Sequence, residues 1–168
     1  KAYHFIKKIM SKDENYRLNV GIVIFNKDAN IWIGKRSDII KQCTWQMPQG
    51  GIDINETPLK AAIRETHEET GIKSIKYISS ANRWIKYKLP EDIAKNKWDG
   101  KFVGQMQKWF LFYFFGDDSE VNINSYKHPE FSKWKWADKK YVQDNVTNFR
   151  KSVYKTVFKK FEADIKKE

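Results

Sequence analysis

Three glutamates within five positions constrain this chain more than any other feature of its sequence. Glu65, Glu68 and Glu69 have the spacing i, i+3 and i+4, which places their carboxylates on one face of a helix. Like charges at these spacings weaken an isolated helix, and a chain with a net charge of +11 does not need them for solubility. The cluster therefore predicts a site for a hard divalent cation, most simply Mg²⁺ with Mn²⁺ as a possible substitute, because such ions prefer oxygen ligands.

The residues around these glutamates predict a helix over residues 58–70. Thr57 is a suitable N-cap, Pro58 suits the first helical position, and Gly71 can take the left-handed conformation that ends a helix. The helical period places a packing face roughly 120° from the glutamates, made of Leu59, Ala62, Ile63, Thr66 and Thr70. We therefore expect this face to be buried while the opposite side presents the carboxylates.

The spacing of residues 50–72 resembles the Nudix box, Gly-x5-Glu-x7-Arg-Glu-U-x-Glu-Glu-x-Gly-U, in which U is a bulky aliphatic residue. The matching positions are Gly50, Glu56, Arg64, Glu65, Glu68, Glu69, Gly71 and Ile72. Thr66 departs from the pattern because it stands at an aliphatic position, so we expect slightly looser helix packing there. The pair Gly50-Gly51 would let the backbone approach a ligand closely.

The resemblance to the Nudix family extends over about residues 14–165, and it is specific enough to indicate one branch of the family. The runs that carry it are residues 16–23, 45–51, 87–90, 104–110 and 129–131. They look like the bacterial RNA pyrophosphohydrolases, a branch that is similar to the asymmetric diadenosine tetraphosphate hydrolases.

This resemblance implies an enzyme, a Mg²⁺-dependent Nudix pyrophosphohydrolase that acts on phosphoanhydride bonds. The implied substrate is the 5′-triphosphate end of RNA, whose loss of pyrophosphate starts 5′-dependent RNA decay. Cleavage of a dinucleoside polyphosphate to ATP and a nucleoside monophosphate is the alternative within the same class. A non-catalytic Nudix-fold regulator that binds nucleotide or RNA is the alternative of another class, and the intact glutamates argue against it, because a pure binder could lose them.

Residues of the box are candidates for catalysis. We expect Glu65, Glu68 and Glu69 to hold the cation and Arg64 to orient them through charge-assisted hydrogen bonds. Glu56 leaves two interpretations open, a residue favoured by the dipole at the helix start or a support for the ligands. The identity of the general base also stays open. Outside the box, the resemblance marks Glu130 as an additional metal ligand, whereas its loop position alone would predict an ordinary exposed carboxylate.

A sequence pI of about 9.6 suits a polyanionic substrate, because lysine and arginine attract phosphates whatever the base sequence. The resemblance places Arg17, Arg36 and Arg150 around the 5′ phosphates and first bases. Its polar candidates for substrate contacts are Thr44, Tyr87, Gln105 and Gln107. Phe149 could stack a base, but it also fits the apolar stripe of the last helix, so core packing is an equal alternative.

The remaining pattern predicts one α/β domain. Strands are expected at residues 20–25, 31–35, 75–85, 105–115 and 134–136. A C-terminal helix from about Val146 follows from apolar residues at every fourth position, namely Phe149, Val153, Val157, Phe161 and Ile165. Strands with an acidic helix and a final helix fit an α/β/α sandwich, and the resemblance implies the same fold with a mixed sheet.

The domain limits and the cellular location follow from simpler signals. Met10 looks like a natural start, so we expect residues 1–9 to be a leader or an expression remnant outside the fold and residues 10–168 to form a single domain. The apolar run 109–115 is too short to span a bilayer. The lone Cys43 cannot form an internal disulfide and suits a reducing compartment. We expect a cytoplasmic enzyme that needs no DNA or membrane partner, with protein partners left open.

Overall fold

The structure is a computed structural model that describes residues 14–37 and 44–167. Residues 1–9 and Cys43 lie outside the described residues. The strands are β1 (Tyr16–Phe25), β2 (Ile31–Arg36), β3 (Trp45–Gln46), β4 (Gln49–Gly51), β5 (Ile75–Ser80), β6 (Ile85–Lys88), β7 (Gly104–Phe114) and β8 (Phe131–Ala137). The helices are α1 (Pro58–Thr70), α2 (Glu91–Asn96), α3 (Lys139–Asn145) and α4 (Asn148–Phe161), with short 3₁₀ turns at Trp98–Gly100 and Asp118–Glu120.

Within the described ranges the eight strands form one sheet, with the central order β3-β2-β1-β7-β5. The long strands β1 and β7 are parallel over their whole paired length, from Tyr16 opposite Gly104 to Phe25 opposite Tyr113. The other pairings are antiparallel: β4 adds to β1, β6 adds to β7, and β8 adds to β2. The predicted mixed sheet is therefore confirmed.

Alternation along β1 separates two apolar cores, because successive side chains of a strand point to opposite faces of its sheet. Val20, Ile22 and Ile24 pack with α1 on one face. Val23 and Phe25 pack on the other face, in the core that also contains side chains of α3 and α4. Helices thus cover both faces of the sheet, and the predicted α/β/α sandwich with a C-terminal helix is confirmed.

Helix α1 has the predicted limits. The Thr57 hydroxyl accepts a hydrogen bond from the Lys60 backbone N–H at 3.2 Å, and Gly71 ends the helix in the left-handed conformation with φ of 75°. Thr66, the departure from the family pattern, is fully buried, and its hydroxyl donates to the Ala62 carbonyl at 2.8 Å. A buried hydroxyl that finds a partner inside its own helix does not leave a polar group unsatisfied.

The predicted packing face of α1 is confirmed only in part. Ala62, Thr66 and Thr70 are fully buried. Leu59 and Ile63, expected in the same face, are 36% and 46% exposed, whereas Glu69 is only 8% exposed. The helix packs against β1 and β4, and it is rotated so that Glu65 and Glu69 point towards the protein. The binary pattern of the helix fails here because carboxylates, and not aliphatic side chains, fill part of its inner face.

Several shorter elements were not predicted. The expected strand over residues 75–85 is two strands, β5 and β6, and both pair with β7. The two-residue strand β3, the three-residue strand β4 and the helices α2 and α3 are additional. Helix α4 ends at Phe161, so Ile165 lies beyond the helix, although it still packs against the same core. No helix among the described residues is long and apolar enough to cross a membrane.

Candidate metal and catalytic site

Arg64 connects the acidic residues of α1 to the loop before the helix. Its Nε and one terminal nitrogen donate to the two carboxylate oxygens of Glu56 at 2.8 and 2.9 Å, and the same terminal nitrogen donates to the Gly51 carbonyl at 2.9 Å. The other terminal nitrogen donates to Glu65 at 2.8 Å and to Glu68 at 3.2 Å. A planar guanidinium used in this way fixes several carboxylates at once.

Glu56 is part of this connection and not simply a residue at the start of the helix. Besides its paired hydrogen bonds from Arg64, it accepts the Asp53 backbone N–H at 3.0 Å, which closes the turn before α1. The hydrogen bond with Arg64 lowers the pKa of Glu56, so the carboxylate stays ionised. Of the two interpretations of Glu56, this geometry favours a support for the ligands.

Glu65 lies directly against the backbone of β4. A Cβ atom at Gly50 would overlap the Glu65 carboxylate, so glycine is required there for the close approach. The Glu65 side chain is 13% exposed, and its burial raises its pKa to about 7, although the hydrogen bond from Arg64 opposes that rise. Glu65 therefore changes its charge near neutral pH when no cation is bound.

Glu69 lies deeper in the structure. Burial raises its pKa well above the ordinary range of a carboxyl, and the negative charges of Glu130 and Glu65 raise it further. The backbone N–H of Gln49 donates to the carboxylate. The Oε2 atom of Glu69 is buried and has no hydrogen-bond partner among the described residues. A buried carboxylate oxygen without a partner is costly, and its presence indicates a site that a ligand completes.

Glu130 approaches Glu69 from the loop before β8. Its carboxylate forms an ion pair with Arg36, at 2.8 Å between Nη1 and Oε1. The loop is held by Ser37, whose backbone N–H and hydroxyl both donate to the Glu130 carbonyl at 3.1 Å. The predicted ligand Glu130 and the predicted substrate contact Arg36 are thus brought together at the end of β2.

The donor set at this position suits a hard divalent cation. In residues 14–37 and 44–167 no three acidic, histidine or cysteine side chains already converge on one point. The Glu69 carboxyl nevertheless lies close enough to Glu65 and Glu130 for their negative charges to raise its pKa. All the available donors are oxygens, one of them is buried without a partner, and mutual repulsion is relieved by a cation. The residues present therefore fit Mg²⁺ or a similar ion.

Arg17 supplies positive charge beside the glutamates. Its guanidinium lies against Gly51, where a Cβ atom would overlap it, and stacks over the Trp98 ring at 5.0 Å from the centroid. Burial lowers the pKa of Arg17, while the negative charge of Glu65 opposes that change. Because arginine stays protonated at any ordinary pH, this position keeps a cation next to the acidic cluster.

A cluster of aromatic and polar side chains lies between β6, β7 and the start of α4. The rings of Tyr87 and Phe149 stack with centroids 6.2 Å apart and planes at 22°. Gln105 donates to the Tyr87 hydroxyl at 2.9 Å. Arg150, only 4% exposed, donates to the Gln46 amide oxygen at 3.0 Å, and its guanidinium lies over Phe149 at 4.9 Å. Phe149 is half-buried, so it contributes both to the core edge and to this cluster.

The polar groups of this cluster are incompletely satisfied. In the part of the chain that the structure describes, three of its buried polar atoms lack a partner: Gln46 Nε2, Gln105 Oε1 and Arg150 Nε. Thr44 Oγ1, two residues before Gln46 in the chain, is also buried without a partner. They include both donors and acceptors, as the edge of a base or a phosphate requires. Gln107 differs, because its amide is engaged with Asn19, Gln49 and Trp109. The geometry thus separates Gln107 from the other polar candidates.

Comparison with known proteins identifies the family. The family model described as NUDIX domain matches residues 15–157, which is most of the chain. The chain belongs to the Nudix family. The predicted family and enzyme class, a Nudix hydrolase, are therefore confirmed.

Named Nudix relatives align with nearly the whole chain. The RNA pyrophosphohydrolase of Wolbachia sp. subsp. Brugia malayi (strain TRS) is 42% identical over 158 residues, which cover 94% of this chain and 97% of the relative. The RNA pyrophosphohydrolase of Pelagibacter ubique (strain HTCC1062) is 47% identical over 144 residues, covering 86% and 90% of the two chains.

Solved structures share the Nudix fold at lower identity. The E. coli dihydroneopterin triphosphate pyrophosphohydrolase has a TM-score of 0.67 at 18% identity and covers 84% of this chain and 95% of its own. The C. elegans Ap4A hydrolase binary complex has a TM-score of 0.63 at 23% identity, with 88% and 98% covered. At these identities the similarity establishes the fold alone.

Sequence reasoning missed several residues of this Nudix site. Among the described contacts, only the side-chain amide oxygen of Gln46 accepts a hydrogen bond from Arg150. Gln46 lies within residues 45–51, which carry the family resemblance, but the sequence pattern predicts no role for it. The Gln49 backbone N–H reaches Glu69. Trp98 supports Arg17, and no periodic signal marks it. No sequence signal marks Gln46 within that run, because its strand β3 has only two residues.

Proposed function

We propose that this Nudix protein is a Mg²⁺-dependent pyrophosphohydrolase that removes pyrophosphate from the 5′-triphosphate end of RNA. The observation that carries the chemistry is the buried Glu69 carboxylate, which has an oxygen without a partner and faces the negative charges of Glu65 and Glu130. The identity of about 42% over 94% of the chain to named RNA pyrophosphohydrolases supports RNA as the substrate.

Glu65, Glu68, Glu69 and Glu130 would hold the cation. A divalent cation bound there supplies charge neutralisation for phosphoryl oxygens and a more acidic water. The protein's own part is to position these carboxylates, and Arg64 does so by holding Glu56, Glu65 and Glu68 with one guanidinium. Because burial keeps Glu65 and Glu69 partly protonated, loading with the cation would release protons and would strengthen as the pH rises.

Arg17 would bind the polyphosphate beside this cluster, since it places a permanent positive charge next to Glu65. The first bases of the RNA, including the second, would bind near Phe149 and Arg150, where a stacking surface and unpartnered polar atoms are available. Arg36 would act through its ion pair with Glu130, which couples the loop before β8 to the metal ligands. Phosphate groups and a base would thus be held by different side chains.

Diadenosine polyphosphates are the second candidate substrate. The C. elegans Ap4A hydrolase shares the fold, and both substrates join a polyphosphate to adenosine. A non-catalytic regulator is the third candidate. A buried carboxylate oxygen without a partner, placed where a cation could bind, argues against it. For the cellular setting we propose Mg²⁺ with Mn²⁺ as a substitute, and action in the cytoplasm without a DNA or membrane partner. The lone cysteine supports a reducing compartment.

The test is a side-by-side turnover assay with Mg²⁺ on 5′-triphosphorylated RNA and on diadenosine tetraphosphate. We expect triphosphorylated RNA to have the higher kcat/KM of the two substrates and to yield pyrophosphate and 5′-monophosphorylated RNA. The Glu69→Gln variant serves as the matched inactive control, because it preserves the volume of the side chain while removing one charge. A preference for diadenosine tetraphosphate would replace the RNA proposal, and turnover of neither substrate would favour the regulator.

A further inference from the structure

A second basic and aromatic surface adjoins the candidate site, and apart from Arg17 its residues have no role in the hydrolysis described above. We call it the Trp98 cluster, made of Arg17, Lys97, Trp98, Lys101 and Phe102. The Lys97 ammonium lies over the Trp98 ring at 5.4 Å, and the Lys101 ammonium lies over the Phe102 ring at 5.5 Å. The two rings meet edge to face at 6.0 Å, with planes at 77°. Cations and aromatic faces therefore alternate along this short segment.

The backbone of the segment is unusual. Trp98 and Asp99 both have positive φ, at 48° and 56°, and Gly100 follows at 69°. A bulky residue such as tryptophan rarely adopts the left-handed region, because its Cβ crowds the backbone. Strained positions of this kind concentrate at ligand sites. Trp98 packs against the core on one side, but it is only half-buried, as is Phe102, so part of each ring stays accessible.

The cluster is continuous with the proposed catalytic site. Arg17 touches it through the Trp98 ring and is electrostatically coupled to Glu65 on its other side. Across the sheet, Arg17 is opposite Gln105 and Gln105 is opposite Tyr87, so the three side chains share one face. Tyr87 in turn stacks on Phe149. Gln105 and Arg17 thus connect the Tyr87 and Phe149 rings to the Trp98 and Phe102 rings.

We propose that the Trp98 cluster binds the single-stranded RNA downstream of the first nucleotides, which makes it a substrate-length determinant. This inference rests on the proposed function and deepens it. Single strands are held by aromatic faces on which bases stack, together with cations that follow the phosphates. The cluster offers both within one segment, beside a site that takes the 5′ end. An acidic protein surface would use the lysines but would gain nothing from the ring faces.

The experiment compares kcat/KM on 5′-triphosphorylated dinucleotides and on unstructured RNAs of about ten nucleotides, the range of single-strand binding sites. Trp98→Leu removes the aromatic face and should lose roughly ten-fold more on the longer RNA than on the dinucleotide, since one stacked base contributes about that factor. Trp98→Tyr keeps a ring and should restore most of the difference. The double variant Lys97→Gln/Lys101→Gln should also lose selectively on the longer RNA.

Salt dependence gives an independent readout for the lysines. Each phosphate contact on a single strand contributes about 0.7 to the slope of log affinity against log salt, so the double variant should flatten the slope by about 1.4. Lys155→Gln/Lys159→Gln is the matched control, because both lysines are exposed on α4 and the net charge changes equally. We expect the control to keep the wild-type slope.

Failure of this inference and failure of the proposed function give different results. If the wild-type enzyme does not hydrolyse any triphosphorylated RNA, the proposed function is wrong. If it does, but the cluster variants lose equally on short and long RNA, the Trp98 cluster only supports Arg17 and the inference is overturned. An identical slope change in the control pair would also overturn it, since the effect would then reflect net charge alone.

Discussion

Replacement of Glu65 by glutamine should stabilise the protein in the absence of metal while removing its activity. Burial raises the pKa of Glu65 from the ordinary value of 4.5 to about 7, and this difference is equivalent to about 3 kcal/mol at about 1.4 kcal/mol per pKa unit. The unfolded chain ionises the carboxyl first, so the penalty is absent below about pH 4.5 and complete above about pH 7. Glutamine carries no charge at any pH, so the Glu65→Gln variant avoids this penalty.

The assay is thermal unfolding in the presence of a chelator, at about pH 5 and about pH 8. For a chain of this length, 3 kcal/mol corresponds to a rise in Tm of roughly 6–12 °C, which we expect for Glu65→Gln only at the higher pH. Glu68→Gln is the matched control, because it makes the same charge change on the same helix at a side chain that is 30% exposed instead of 13%. Its stability should change by less than about 0.5 kcal/mol.

Saturating Mg²⁺ should reverse the order. A cation at a thousand times its Kd adds about 4.1 kcal/mol to the protein that binds it, which exceeds the advantage of about 3 kcal/mol of Glu65→Gln, and the variant should gain much less. A variant that is less stable than the wild type at the higher pH without metal would refute the reasoning. So would a rise in Tm that is equal at both pH values, since burial of an ionised carboxylate could not be its cause.

Three further substitutions test other parts of the site. Arg64→Lys should lower stability by about 1–3 kcal/mol and reduce kcat, because one ammonium cannot replace the paired hydrogen bonds to Glu56; unchanged Tm and turnover would contradict the role of Arg64. Phe149→Ala should reduce turnover of triphosphorylated RNA roughly ten- to a hundred-fold more than that of a nucleoside triphosphate, which has no second base. Arg17→Ala should reduce both, because the phosphate contact is common to them. Equal losses on both substrates for Phe149→Ala, with a lowered Tm, would assign that residue to the core; all rates are compared at one salt concentration.

The limits of helix α1 could be predicted because caps are local. Thr57, Pro58 and Gly71 act within a few residues of the chain, and each does what its type predicts. The rotation of the helix is not local. It depends on where β1 and β4 pack and on Gly50, whose missing side chain gives Glu65 its place. The hydropathy pattern therefore predicted that Ile63 is buried, although carboxylates occupy that part of the inner face of the helix.

Most of the contacts that the sequence does not predict join residues that lie far apart in the chain. Arg150 pairs with Gln46 across 104 positions, and Arg36 pairs with Glu130 across the end of the sheet. Neither pairing has a periodic signature, because each arises only once the strands are assembled. The same holds for β3 and β4, which are too short for alternation to be visible. The chemistry of the box could be predicted because Glu65, Glu68 and Glu69 share one helix.

The central claim is that the buried carboxylates form a cation site that performs the hydrolysis. The most direct measurement compares the wild type and Glu69→Gln in turnover of 5′-triphosphorylated RNA across a Mg²⁺ titration, with unfolding followed on the same samples. We expect the wild type to become inactive but stay folded on chelation, since its two apolar cores do not depend on a metal. Glu69→Gln should stay folded and nearly inactive at every Mg²⁺ concentration. Wild-type turnover in Glu69→Gln at saturating Mg²⁺, or full activity after exhaustive chelation, would contradict the claim.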